Sequence, residues 1–343
     1  MSRKIIVGGS IAYDNIVRFP GYFKDSFLPD KIRSLNVSFL VDSMQRIKGG
    51  TGSNIAYNLA LVGEKPLLMG TVGKDFAEYR RWLHQQGVDT RLTRTVSDDY
   101  TAFCTIMTDL GHNQITSFYP GAMSRDGEIS LADIPTEEVA MVVIAPTEPG
   151  AMIKWALECQ AKGLPYLFDP GMQIPRLSRE DLVLGVNGAR ILVMNEYEYS
   201  MMQNKTNLSK EDLLRRVEIL AITCGDRGST LTRGEEEVPI PAAQAVEVVN
   251  PTGAGDAFRA GLLKGYLEGR PLSVMGRFGS VTAVYAVEHQ GATEHSYTID
   301  EFLQRYRDNF GPVAWRGEAA VSQGGSASRR KSPVRSALQP KTL

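Results

Sequence analysis

The sequence predicts a three-layer α/β/α fold, in which helices cover both faces of a mostly parallel sheet, with a small inserted β-sheet as a lid. Two observations support this prediction. Short apolar runs of strand length alternate with longer runs of helical periodicity through most of the chain. Two segments, residues 11–48 and 96–120, interrupt the alternation with strand-like patterns and no convincing helix. We expect these two segments to form the lid, which would exclude water when it closes.

The individual elements follow from the same patterns. Apolar runs predict strands at 4–9, 66–73, 141–146, 166–170, 191–196 and 220–225. Helical spacing predicts helices at 53–63, 75–87, 151–163, 180–189, 209–219, 256–268, 273–288 and 300–307. A turn at 110–113 between two strand-like runs predicts a hairpin in the lid.

Composition indicates a globular protein without a nucleic-acid partner. The 343 residues are 43% hydrophobic and 22% charged, with a net charge of −1. Basic residues concentrate near the C-terminus, so the remaining chain is acidic and unsuited to nucleic acid. Residues 315–343 have little to bury and are predicted to be a disordered basic tail, either simply solvated or able to bind a polyanion.

Cysteine and apolar patterns bear on location and metal binding. The three cysteines form no C-x-x-C pair, and no signal peptide precedes the first apolar run, so we expect a reducing, cytoplasmic location. The four histidines are scattered and predict no zinc-type site. No run approaches the roughly 18 apolar residues of a membrane span, and no membrane partner is expected.

The stretch NPTGAGDAFRAG, residues 250–261, predicts an anion site. Gly253, Ala254 and Gly255 leave the backbone amides open, ahead of a helix expected to begin near Asp256. The unpaired N–H groups and positive dipole end of that helix would face the same place. Asp256 would then be a general base beside a phosphate, although the stretch alone equally fits a helix N-cap after a glycine turn. Neither a P-loop nor a Rossmann motif offers another phosphate site.

A second stretch, residues 48–75, carries a Gly-Gly pair followed by Asn54, Ala56, Gly63 and Gly73. The two stretches together resemble the two signatures of the ribokinase-like (PfkB) carbohydrate and nucleoside kinases. The resemblance covers roughly residues 4–309. It implies a kinase domain over residues 1–314 that uses ATP. Several runs, among them SNIAYNL, NQITSFYPGAM and FDPGMQIPRLS, look like those of bacterial adenosine kinases.

The resemblance assigns roles position by position. Asp256 matches the catalytic base, and the amides of Gly253, Ala254 and Gly255 match the anion hole. The residues implied at the acceptor are Ser10, Asp14, Ser38, Gly50, Asn54, Phe118 and Arg176. Those implied at ATP are Asn195, Thr223, Gly225 and Gly228, while Glu198 is implied to hold Mg²⁺ through water.

Several of these residues also have a simpler, structural interpretation. Asp14 could accept hydrogen bonds from two neighbouring hydroxyls, but alone it reads as a turn residue. Taken alone, Asn195 is predicted to cap a helix and Glu198 to be a surface glutamate. The glycine-rich motif at 223–228 alone predicts a turn that ends a strand. Phe118 and Phe39 could hold a purine base or form the lid core.

The predicted reaction is phosphorylation of the 5′-hydroxyl of adenosine by ATP, giving AMP and ADP. A kinase for another nucleoside or a sugar, and a catalytically silent nucleoside-binding module, are the alternatives. Cys104 stands where the nucleoside-kinase pattern has an aromatic residue, which weakens the prediction of strict purine stacking. Asn250 stands where cation-activated members have an aspartate, which leaves K⁺ activation open. A homodimer through the lid is a further open expectation.

Overall fold

The computed structural model describes residues 3–27 and 36–312. Its strands are β1 (Lys4–Gly8), β2 (Ala12–Arg18), β3 (Ser43–Gly49), β4 (Pro66–Gly73), β5 (Asp89–Val96), β6 (Ala102–Thr108), β7 (Gln114–Tyr119), β8 (Val139–Ile144), β9 (Tyr166–Phe168), β10 (Ile191–Asn195), β11 (Ile219–Thr223), β12 (Ser229–Arg233) and β13 (Glu236–Ile240). Its α-helices are α1 (Phe23–Ser26), α2 (Thr51–Leu61), α3 (Ala77–Gln85), α4 (Pro149–Lys162), α5 (Arg179–Val186), α6 (Glu196–Thr206), α7 (Lys210–Leu214), α8 (Ala254–Leu267), α9 (Leu272–Val287) and α10 (Ile299–Phe310).

Nine strands form the large central sheet in the order β13-β12-β11-β10-β9-β8-β1-β4-β5. Pairing is parallel from β11 to β5, and β12 and β13 extend one edge in antiparallel fashion. Helices pack on both faces of this sheet, and the apolar side chains on each face form separate core clusters. Strands such as β4 are buried along their whole length, which explains their continuous apolar sequence. The predicted fold class is confirmed.

The lid is a second sheet of four strands in the order β3-β2-β6-β7. Asp14 on β2 is aligned with Cys104 on β6, which is aligned with Phe118 on β7. Because aligned residues of paired strands share a face, these three side chains lie on the same side of the lid. Their sheet neighbours Asn15 and Phe103 face the other side, where they line a separate surface groove with Arg46.

The predicted hairpin turn is present between β6 and β7, and Asp109 organises it. Its carboxylate accepts hydrogen bonds from the backbone N–H groups of Gly111, Asn113 and Phe23, at 2.8, 2.8 and 3.0 Å. These bonds lower the pKa of Asp109 although burial opposes them. Nearby, the Phe39 ring packs against those of Phe23 and Phe19, 5.2 and 5.0 Å away. Phe39 therefore belongs to the lid core, one of its two predicted roles.

A charged contact joins the lid to the body. The guanidinium of Arg46 on β3 stacks 3.6 Å from the centre of the Tyr13 ring. It also pairs with Asp75 at 2.5 Å, and the other oxygen of Asp75 accepts from the N–H of Thr101 at 2.8 Å. The outer strand of the lid is therefore held against the loop that follows β4.

Some elements differ from the sequence prediction. The strands β5, β12 and β13 and the helices α1 and α6 were not predicted, and α7 is shorter than the predicted helix at 209–219. The edge strands β5 and β13 contain many charged residues, so they lack the apolar run that marks a buried strand. The predicted tail at 315–343 lies outside the described residues, as does part of the lid segment 11–48. In the described part of the chain, no helix has the length and apolarity to span a membrane.

Candidate active site

The N-terminus of α8 differs slightly from its prediction. The helix begins at Ala254, two residues before the expected start, so Asp256 is its third residue. The N–H groups of Gly253 and Gly255 donate to no acceptor among the described residues, whereas that of Ala254 donates to the carbonyl of Pro251 at 3.2 Å. Two of the three predicted anion-hole amides are therefore free, and the third is engaged.

Gly253 is required by its conformation and by its neighbour. Its φ of +83° lies in the left-handed region that favours glycine. A side chain there would also collide with Ala292, because the turn packs directly on that residue. The loop that contains Ala292 thus supports the free amides from behind.

Asp256 is partly buried and is held by Asn54. The Asn54 Nδ2 atom donates a hydrogen bond to Asp256 Oδ2 at 2.8 Å. Burial raises the pKa of Asp256 to about 6; the Arg259 charge and the Asn54 bond act against this increase, and Glu198 adds to it. Such a carboxylate is ionised at neutral pH and yet a better proton acceptor than an ordinary aspartate.

A glycine pair brings Asp14 and α2 together. The Asp14 carboxylate lies over Gly49, where any side chain would collide with its Oδ2 atom. Gly50 caps α2 with a φ of +94°, and a side chain there would strike the backbone of Ser10. Burial raises the pKa of Asp14, and no described residue donates a hydrogen bond to its carboxylate. Its oxygens are therefore available to a ligand.

Ser10 supports the same helix. Its Oγ accepts a hydrogen bond from the N–H of Thr51 at 2.9 Å, and its carbonyl accepts from the N–H of Gly52 at 2.9 Å. Ser10 thereby satisfies two unpaired amides in the first turn of α2. Contacts along this helix thus connect four predicted residues: Ser10, Gly50, Asn54 and Asp256.

The other three predicted acceptor residues make no described contact with that group. Phe118 is 52% exposed on the lid face that also carries Asp14. Ser38 is exposed in the segment before β3. Arg176 is exposed beyond β9, where its Nη1 donates to Gln173 Oε1 at 3.2 Å.

A cavity of about 540 Å³ runs from the glycine-rich turn after β11 to the N-terminus of α8. It is lined by Thr223, Gly225, Asp226, Gly228, Ala242, Ala243, Ala245, Val248, Pro251, Ala254, Gly255, Phe258, Ser280, Ala283, Val284 and Val287. Gly228 has a φ of +93°, and a side chain there would strike the carbonyl of Ile240. The small and apolar lining leaves space for a nucleotide base, with the free amides at one end.

Asn195 and Glu198 form a reciprocal capping box on α6. The Asn195 side chain accepts from the N–H of Glu198, and the Glu198 side chain accepts from the N–H of Asn195, both at 2.8 Å. The simpler interpretation of these residues therefore describes part of their role. The negative charge of Glu198 also contributes to the raised pKa of Asp256, so the two carboxylates lie near each other.

No cluster of three acidic, histidine or cysteine side chains within the described ranges could hold a metal alone. Mg²⁺ in kinases is commonly held by one or two carboxylates together with substrate phosphates. A single partly exposed Glu198 near the anion site fits that arrangement.

Two charged residues at the site, Arg259 and Asp169, were not predicted from the sequence. Arg259 Nε lies 2.5 Å from Asp169 Oδ2, and the two side chains are 11% and 0% exposed. Asp169 directly follows the buried strand β9, and Arg259 interrupts the apolar face of α8. A charged residue in either place is a signal that could have been used.

Comparisons with known proteins agree with this geometry. Residues 21–299 match the sequence profile described as pfkB family carbohydrate kinase. A nucleoside kinase of Methanocaldococcus jannaschii is 32% identical over 281 residues, which are 81% of this chain and 92% of that protein. A nucleoside kinase of Methanothermobacter thermautotrophicus is 28% identical, over 90% of this chain and 97% of that protein.

A solved structure gives the same result. The nucleoside kinase of Burkholderia thailandensis in complex with inosine superposes with a TM-score of 0.80 and 35% identity, over 90% of this chain and 99% of that one. These similar proteins are nucleoside kinases, and none of the three is described specifically as an adenosine kinase.

Proposed function

Because the chain belongs to the pfkB family of carbohydrate kinases, we propose that it transfers the γ-phosphoryl group of ATP to the 5′-hydroxyl of a nucleoside. Adenosine is the acceptor that the sequence favours. The inosine bound to the similar Burkholderia kinase makes another purine nucleoside an equally suitable candidate. A silent binding module is disfavoured because the base and the free amides are both present.

One observation carries the proposal: a carboxylate suited to proton abstraction lies beside free amides at the end of a nucleotide-sized cavity. Asp256 accepts from Asn54, and its raised pKa gives it useful basicity. Gly253 and Gly255 direct unpaired N–H groups from the same helix end. A general base and an anion hole are the two devices that phosphoryl transfer requires from a protein.

In the proposed step, Asp256 takes the proton of the 5′-hydroxyl while that oxygen forms a bond to the γ-phosphorus. The bond from the γ-phosphorus to the oxygen bridging it to the β-phosphorus breaks, and ADP leaves with those electrons. The amides of Gly253 and Gly255 stabilise the charge on the transferring group. Mg²⁺, when bound, would supply further charge neutralisation, with Glu198 as its protein contact through water.

The acceptor would lie between Asp14 and the N-terminus of α2, under the lid. Asp14 presents a carboxylate to which no described residue donates a hydrogen bond, suited to two ribose hydroxyls. Phe118, on the same face of the lid, could cover the base. Thr223, Gly225 and Gly228 line the cavity proposed for ATP.

The test is ADP release in the presence of MgATP and one acceptor at a time: adenosine, inosine, guanosine, cytidine, ribose or fructose. We expect nucleosides to be used and free sugars to be poor, with adenosine or inosine best. Turnover of ribose or fructose alone would replace the proposal with a sugar kinase. No turnover above the Asp256→Asn background would favour a binding module.

Three further expectations have tests of their own. Comparing activity in K⁺ and in Na⁺ buffers shows whether the enzyme depends on K⁺, even though Asn250 replaces the aspartate of cation-activated members. Light scattering measures whether it forms a homodimer, as expected through the lid. Cell fractionation would test the expected cytoplasmic location.

A further inference from the structure

A buried ion pair lies behind the proposed base. Arg259 follows Asp256 by three residues on α8, and it reaches Asp169 at the end of β9. The Arg259 Nε atom and the Asp169 Oδ2 atom are 2.5 Å apart. The other oxygen of Asp169, Oδ1, accepts no hydrogen bond from any described residue.

A buried ion pair of this kind contributes little to the stability of the fold. Removing two charges from water is unfavourable, and apolar residues of similar size often serve as well or better. Burial raises the pKa of Asp169, and the neighbouring Arg259 opposes that increase. An incompletely bonded charge beside a reactive group therefore points to function.

The position of Arg259 connects it to the reaction site. Its Nη1 atom lies 2.7 Å from the place where a side chain at position 255 would begin. Its positive charge therefore lies against the first turn of α8, next to the anion hole. Among the described residues, Asp256 also interacts electrostatically with the carboxylates of Glu198 and Asp169 and accepts a hydrogen bond from the neutral amide of Asn54.

We propose that Arg259 is a positioning residue for the base: it keeps a positive charge beside Asp256, so that this partly buried carboxylate stays ionised. The inference rests on the proposed function, because it takes Asp256 as the base. An opposite charge within about 4–6 Å typically moves the titration of a carboxyl by 1–3 pH units. Without Arg259, burial and the negative charge of Glu198 would act on Asp256 unopposed by any cation in the described site.

The experiment compares Arg259→Met, Arg259→Lys and Asp169→Asn with the wild type. The acid limb of the kcat profile is measured for each, with the best acceptor of the panel. We expect Arg259→Met to move the limb upward by about one pH unit or more, which lowers kcat at pH 5 roughly tenfold relative to the wild type. Arg259→Lys restores the charge and should return the limb toward its wild-type position. Asp169→Asn should not move it upward, because Arg259 remains charged.

Lys264 provides the matched control. It lies further along α8, where it pairs with Glu64 at 2.8 Å and with Glu268 at 3.1 Å, and its side chain is 17% exposed. Lys264→Met also removes a paired cation from this helix, so it should leave the limb in place. Circular dichroism checks folding, and Arg259→Gln replaces Arg259→Met if the latter does not fold.

An unmoved limb in the neutral Arg259 variant would overturn the proposal. So would an equal upward shift in Asp169→Asn or Lys264→Met, which would indicate a general packing defect. The carboxyl ¹³C signal of Asp256, assigned by its loss in Asp256→Asn, gives an independent titration of the same group. If no acceptor is phosphorylated, the proposed function fails, whereas this titration still decides the role of Arg259.

Discussion

Replacing Asp14 with alanine should abolish discrimination between a ribose and a 2′-deoxyribose. The carboxylate lies over Gly49, partly buried, and no described residue donates a hydrogen bond to it. If it accepts from both the 2′- and 3′-hydroxyls of the acceptor, the deoxy analogue loses one bond in the wild type. The alanine variant has neither bond to lose.

The magnitude follows from hydrogen bonds to a charged group, each worth about 1.5–3 kcal/mol. One such bond corresponds to a factor of about 10–150 in kcat/KM, because about 1.4 kcal/mol is tenfold. The wild type should prefer adenosine over 2′-deoxyadenosine by that factor. Asp14→Ala should lose roughly a hundredfold or more with adenosine and should retain almost none of the preference.

The assay is coupled ADP release with both nucleosides, under conditions where ATP saturates. Asn15→Ala is the control, because Asn15 is on the same strand but faces the opposite side of the lid. It should keep the wild-type ratio. If inosine is the better acceptor, inosine and 2′-deoxyinosine form the matched pair.

The reasoning is refuted if Asp14→Ala lowers both activities and keeps their ratio. That outcome would mean that Asp14 maintains the lid strand without contacting the ribose. An unchanged KM for ATP should accompany the expected result, since Asp14 lies outside the cavity proposed for the nucleotide.

Three more predictions concern the base and its turn. Asp256→Asn should still bind ATP, as measured by calorimetry, and its kcat should fall by a factor of roughly 10²–10⁴. Activity within a few-fold of wild type would show that Asp256 is not the base. Because the base must be ionised and its pKa is about 6, wild-type kcat should fall with acid, to about a tenth of its plateau at pH 5; a flat profile from pH 5 to 7 would contradict this. Gly253→Ala should reduce kcat at least tenfold because it strikes Ala292. Gly63→Ala is the control, because Gly63 has the same φ of +83° but no neighbour that a side chain would strike. It should lose about 1–2 kcal/mol of stability in thermal denaturation and keep the wild-type kcat. Equal kcat values for Gly253→Ala and Gly63→Ala would show that the clash with Ala292 is unimportant.

Much of the fold was accessible from sequence because buried parallel strands have a distinctive composition. The strand Pro66–Gly73 was predicted with the same bounds that the structure gives, since every one of its residues is buried. Edge strands do not share this property. Ser229–Arg233 and Glu236–Ile240 form a hairpin at the sheet edge, and their polar residues resemble a loop.

The site was partly predictable for a similar reason. Glycines mark close approaches, so Gly50 and Gly253 could be singled out before their positive φ values were known. The roles assigned to Ser38 and Arg176 stay predictions, because no described contact links either to the base. The pair of Asp169 and Arg259 could not be inferred from local patterns, since a contact between residues so distant in sequence depends on the complete fold.

The hydrogen bond from Asn54 to Asp256 spans 202 residues of sequence. Its two helices come from opposite ends of the chain, and the turn before Asp256 rests on Ala292, which is later still. During synthesis, the first half of the protein therefore emerges without a base, an anion hole or their supports. Catalytic competence is gained only when nearly the whole domain has left the ribosome. A nascent chain, or one truncated within this domain, should therefore not consume ATP.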